Sequence, residues 1–104
     1  MDKKIKVGEF SKDVIKLLAL SVEIGTPIYI GNSNRDHMKK SHPRDFEKYG
    51  SQLGRIIAEP DYVSVREDGS IEYMKLYGKH IKVAVRIAGD QFYYVRSLYH
   101  ISDT

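Results

Sequence analysis

Two groups of residues have the types and spacing for chemistry, one pairing histidine with lysine and the other arginine with hydroxyls. The first is His37-Met38-Lys39-Lys40-Ser41-His42. Histidine titrates near neutral pH, so it can take or release a proton while neighbouring lysines hold an anionic group. Zinc fits poorly, because five residues place the two histidines about 140° apart on a helix and His42 precedes a proline. For either histidine alone, a surface or capping role is the alternative. The second group is Arg86 with Arg96, Ser97 and Tyr99. A guanidinium beside hydroxyl donors suits a phosphate better than it suits a core.

Which of these side chains meet depends on the strands that carry them. Ile81, Val83, Val85 and Ile87 alternate with His80, Lys82, Ala84, Arg86 and Ala88, so the core side of that strand is evident. Gly89-Asp90 suits a hairpin turn, and Phe92 to Tyr99 forms the last strand. With a two-residue turn, Arg86 lies opposite Tyr93, Lys82 opposite Ser97 and His80 opposite Tyr99. A three-residue loop instead sets Arg86 opposite Tyr94 and Ala84 opposite Arg96, which creates a two-arginine face. Both registers remain open at this point. Among the eight tyrosines, Tyr73, Tyr77, Tyr93 and Tyr99 are candidates for base stacking beside the basic residues, against the ordinary role of filling half-buried sheet positions.

The rest of the chain follows from its punctuation. Ser11 is a suitable N-cap for a helix carrying Val14, Leu17, Leu18 and Ser21 on one face, closed by Gly25 and Pro27. Pro27 to Gly31 reads as one strand or an extended connector, with Asn32 to Arg35 in a turn. A short helix through Lys40 must stop by His42, since the residue before a proline is pushed out of the α region. Pro43 opens the next helix, whose stripe is Phe46, Tyr49, Leu53, Ile56 and Ile57. Gly50 and Gly54 within it imply close packing against another element, and Pro60 closes it. From Tyr62 the period becomes two. A three-residue loop with Gly69 in the left-handed conformation pairs Val65 with Ile71 and Val63 with Tyr73, apolar on apolar.

Composition sets the outer bounds. The 104 residues, 41% of them hydrophobic, suffice for one packed core, so residues 1–104 are expected to form one domain. The expected class is α+β, with N-terminal helices packed on a four-stranded antiparallel meander. The apolar run Leu17 to Leu20 is far below the ~20 residues of a membrane span, and Lys16 interrupts any signal core. No membrane partner is expected, and the absence of cysteine is compatible with a reducing, cytoplasmic location. Net charge is only +3, but residues 35–55 hold six Lys/Arg and two His against three acids, a local basic rim. Glycine-rich phosphate loops, nucleophile elbows and paired-carboxylate signatures are absent, so NTPase, triad-hydrolase and glycosidase chemistry has no support.

Pro27-Ile28-Tyr29-Ile30, His37 with Lys40-Ser41-His42-Pro43, Tyr49, Ile56-Ile57, Pro60-Asp61-Tyr62, Val83-Ala84-Val85-Arg86 and Val95-Arg96-Ser97-Leu98-Tyr99 follow one another in a familiar order. Over residues 25–102 the chain resembles the phage-associated branch of the barnase, EndoU, colicin and RelE-like nucleases, the BECR fold. The resemblance implies helices on a four-stranded antiparallel sheet and RNA cleavage without metal or cofactor, through attack of the ribose 2′-hydroxyl on the adjacent phosphodiester. Carried onto matching positions, it assigns proton transfer to His37, phosphate charge to Arg86 and Arg96, and phosphate orientation to Ser97 or Tyr99. Lys40 is a supporting cation, and His42, Lys82 and Tyr99 join it as substrate-binding residues. RNA or tRNA is then the substrate and an immunity or antitoxin protein a partner, as for a phage or mobile-element toxin. The alternative is a module of the same fold that binds RNA or protein without turnover.

Overall fold

Ile81, Val83, Val85, Val95 and Leu98 are completely buried, and two layers of structure close around them. The computed structural model describes residues 3–101. In order they form β1 (Ile5–Glu9), α1 (Lys12–Leu18), β2 (Pro27–Ile30), α2 (Asn32–Ser41) and α3 (Pro43–Tyr49). A 3-10 turn (Gly50–Gln52) leads to α4 (Leu53–Ala58), then β3 (Tyr62–Val65), β4 (Ile71–Leu76), β5 (His80–Ile87) and β6 (Tyr93–Ile101). No described helix is long and apolar enough to cross a membrane.

The class is α+β, but the expected four-stranded meander is part of a larger sheet. Its six strands run β1-β2-β6-β5-β4-β3. The four strands β3 to β6 form the antiparallel meander, and β2 extends it by pairing parallel to β6, Ile28 with Tyr93 and Tyr29 with Tyr94. β1 pairs antiparallel with β2 at the outer edge. The helices therefore do not all precede the sheet. β1 has only five residues with a glycine among them, so it lacks a strand signal of its own and depends on its neighbours.

Close approach of another element explains Gly54 but not Gly50, where a Cβ would meet only the Phe46 ring at an ordinary 3.6 Å. A Cβ on Gly54 would stand 3.1 Å from the Val7 carbonyl oxygen, and one on Gly8 would meet Ile57 Cγ2 at 2.8 Å. Ile57 is buried and branched, so it has no room to retreat. Gly8→Ala is expected to lower unfolding free energy by about 1–3 kcal/mol, read from the urea midpoint. An unchanged midpoint would show that α4 yields without cost.

Local chemistry sets the element ends. Ser11 Oγ accepts from Val14 N–H at 3.2 Å, as an N-cap should. The helix ends earlier than expected, at Ala19, whose left-handed backbone (φ 53°) allows Leu20 N–H to reach back to the Ile15 carbonyl. Residues 32–35 are not a turn but the first turn of α2. Asn34 Oδ1 accepts from Gly31 N–H at 3.1 Å, so the chain passes from β2 straight into the helix. α2 stops at His42, and Pro43 begins α3.

The β3–β4 loop has the expected form. Gly69 is left-handed (φ 87°), Val63 faces Tyr73 and Val65 faces Ile71. Between β5 and β6 the three-residue alternative is realised, with Gln91 left-handed (φ 72°) and Arg86 opposite Tyr94. Beyond the next pair, Val85 with Val95, neither register holds. A bulge intervenes, so Ala84 faces Ser97 rather than Arg96, and Lys82 faces Tyr99. Burial gives the reason: Val95 and Leu98 are both at 0% exposure yet three residues apart, which strict alternation cannot satisfy. One extra residue, Arg96, resolves the conflict.

Asp45 ties α3 to the end of β6. Its carboxylate accepts from His100 N–H at 3.1 Å and lies 2.9 Å from His100 Nδ1. Partial burial raises the carboxyl, but the His100 hydrogen bonds and the charges of His100 and His42 outweigh it, so the net shift is downward from 3.8. A depressed carboxylate stabilises the fold above its unfolded pKa, and that stability is lost as pH falls through the folded value. Stability is therefore expected to fall below about pH 4, more steeply than in Asp45→Asn. Denaturant midpoints at pH 7, 4 and 3 measure this, and parallel curves for the two proteins would refute the staple.

Candidate functional site

Alternation along β3 to β6 sends apolar side chains to the helices and leaves a polar set on the opposite face. Ser64 and Arg66 continue from β3, Glu72 lies on β4, and Lys82, Ala84 and Arg86 lie on β5. The bulge in β6 brings Ser97 and Tyr99 to this face beside Arg96. A cavity of about 220 Å³ here is lined by Arg66, Asp68, Ser70, Glu72, Ala84, Arg86, Arg96, Ser97 and Tyr99. Four residues expected at the site, Arg86, Arg96, Ser97 and Tyr99, thus share one wall.

α2 supplies the histidine. It packs along β6, burying Met38 in the core, and the preceding residue His37 lines a second cavity of about 360 Å³ with Ser33, Asn34 and Arg96. Arg96 belongs to both cavities. His37 is exposed, with Nε2 3.4 Å from Ser41 Oγ one turn on. His42 stacks on Tyr99, ring centroids 5.1 Å apart and planes at 22°, at the junction of α2 and α3. Lys40 is exposed and lines neither cavity.

Glu72 escaped the sequence reading. It is only 8% exposed, and Lys82 Nζ at 3.1 Å and Arg66 Nη1 at 3.4 Å compensate its charge. Ser64 Oγ adds a hydrogen bond at 3.4 Å. A buried carboxylate without such partners would be too costly. Lys82 is accordingly committed to Glu72, and Arg86 has Asp68 at 4.0 Å. Asp68 is itself held low by the Ser70 N–H it accepts from, with Arg86 and Arg66 adding charge. The available signal for Glu72 was its place between Ile71 and Tyr73 in an inner strand, where a carboxylate needs a reason.

The tyrosines divide. Tyr73 is buried in the core, where desolvation pushes its hydroxyl pKa well upward, so it cannot stack on a base. Tyr77 stacks on Tyr49, and Tyr93 meets Phe10 edge-on. Of the four candidates, Tyr99 alone lines the described cavities.

The open face of this helix-backed sheet gathers Arg66, Arg86 and Arg96 with the Ser97 and Tyr99 hydroxyls, and His37 lies on α2 in the cavity that shares Arg96. The family model for phage-Barnase-EndoU-ColicinE5/D-RelE like nuclease 3 matches residues 5–104, and the chain belongs to that family of phage-associated nucleases. Comparison with curated proteins and with solved structures gives no match.

Proposed function

We propose that this chain is a metal-independent endoribonuclease that cleaves RNA by attack of the 2′-hydroxyl on the adjacent phosphodiester. The observation that carries the reading is Arg96, at which the cavity holding Arg86, Ser97 and Glu72 meets the cavity holding His37.

The reaction needs a base, an acid and positive charge on the crowded phosphorane. Arg86 and Arg96 supply the charge, and Ser97 and Tyr99 hydroxyls orient the phosphate oxygens. Glu72, positioned by Lys82 and Arg66, accepts the proton from the 2′-hydroxyl, which leaves donation to the departing 5′-oxygen to His37. The products are a 2′,3′-cyclic phosphate and a free 5′-hydroxyl. His42 and Tyr99, stacked together, form a flat edge to the site, while Lys82 acts through Glu72 and Lys40 contributes only long-range charge. Membership of a phage-associated nuclease family supports a toxin or effector role, with an immunity or antitoxin protein as partner.

Incubation of total RNA or tRNA with purified protein in excess chelator tests the proposal. Fragments ending in cyclic phosphate are expected, and a single 2′-deoxy substitution at the cleaved position should abolish cutting there. RNA left intact across substrates, or cutting that needs added metal, would overturn it.

A further inference from the structure

The cleavage step leaves the largest of the three cavities meeting at Arg96 without a task. It measures about 600 Å³, and its walls include Lys4, Asn34, Asp90, Tyr94 and Arg96. Whatever fills it adjoins the group held in the phosphate groove, because Arg96 faces both. A nucleoside joined to the scissile phosphate has that continuity, and the volume lies within the range of small-molecule sites.

The walls carry fixed and opposite hydrogen-bonding characters. Asp90 Oδ1 accepts from Phe92 N–H at 3.0 Å and Oδ2 from the Tyr94 hydroxyl at 2.6 Å, so the carboxylate is held in place as an acceptor. Those bonds keep the carboxyl below its ordinary value, with Lys4 adding charge. Asn34 spends its carbonyl oxygen on Gly31 N–H, so it offers the cavity its amide N–H₂ as a donor. Lys4 also lines the cavity, its Nζ 3.5 Å from the Phe92 ring centroid. Base edges combine donors with acceptors, and only an unpaired base can present its Watson–Crick edge to such a wall.

We propose that this cavity is the subsite for the nucleoside flanking the scissile phosphate of single-stranded RNA, and that Asn34 and Asp90 select its base. The proposal rests on the nuclease reading for its phosphate position. Its test uses 2′-O-methyl tetranucleotides, which cannot undergo 2′-hydroxyl attack, with each base varied in turn and binding followed by fluorescence anisotropy. One base at one position is expected to bind about tenfold tighter than the others. Asn34→Asp keeps the oxygen that Gly31 needs and replaces the donor, while Asp90→Asn keeps an oxygen for Phe92 and loses the charge. Each is expected to change the rank order of the four bases, whereas a purely structural role would weaken all four equally. Absence of base preference, a rank order unchanged in both variants, or equal affinity for duplex RNA would overturn the subsite. Base-selective binding together with intact cleavable RNA would overturn the nuclease reading alone.

Discussion

Arg96→Ala is expected to lower kcat/KM on RNA by about 10²–10³-fold while shifting unfolding free energy by less than about 0.5 kcal/mol. The size follows from the company the other cations keep. Arg66 and Lys82 are bound to Glu72, and Arg86 has Asp68 within 4.0 Å. Among the described residues Arg96 has no carboxylate at salt-bridge distance, so its full charge is available to a phosphorane. Stability is spared because the side chain is exposed and belongs to the extra residue of the bulge, so truncation opens no cavity. Arg96→Lys should recover only part of the loss, since an ammonium keeps the charge but not the two-pronged fork. Activity within threefold of wild type in Arg96→Ala would remove the anion site from its present place.

His37→Ala is expected to reduce kcat by about 10²–10⁴-fold, the usual span for loss of a positioned proton carrier. The ring is exposed on α2 with Ser41 as its hydrogen-bond neighbour, so folding should be unaffected. The pH profile separates chemistry from binding. Wild type should show a limb in its pH profile that disappears in the variant, while RNA affinity stays within a few fold. Lys40→Ala, one turn on and lining none of the three cavities at Arg96, serves as the control with little effect expected. An unchanged pH profile in His37→Ala would move proton transfer to another group.

Much of the scaffold was legible because periodicity reports burial directly. The valine stripe of β5, the Gly69 loop and the Pro43 helix start each follow from backbone chemistry confined to a few residues. β1 was not legible, because IKVGE becomes a strand only by pairing with β2 and seating Gly8 on Ile57. The helical start at Asn32 was hidden for a similar reason, since residues of turn-forming type become a first turn once Asn34 reaches back to Gly31.

The candidate site divides in the same way. Residue types together with the family resemblance pointed to His37, Arg86, Arg96, Ser97 and Tyr99, because guanidinium, hydroxyl and imidazole groups carry their chemistry wherever they sit. Their arrangement belongs to the tertiary structure. The three-residue register holds as far as Val95, and because the core demanded Leu98 as well, a bulge at Arg96 carried Ser97 and Tyr99 onto the face that Arg96 already shared with Arg86. Glu72 became visible only there, as a carboxylate whose burial is tolerable because Lys82 from the next strand and Arg66 from the other side neutralise it. Sequence determines which groups are available and the local periods of the chain. Which of them face one another is decided by packing, since a single residue added to a strand moves every later side chain to the other side of the sheet.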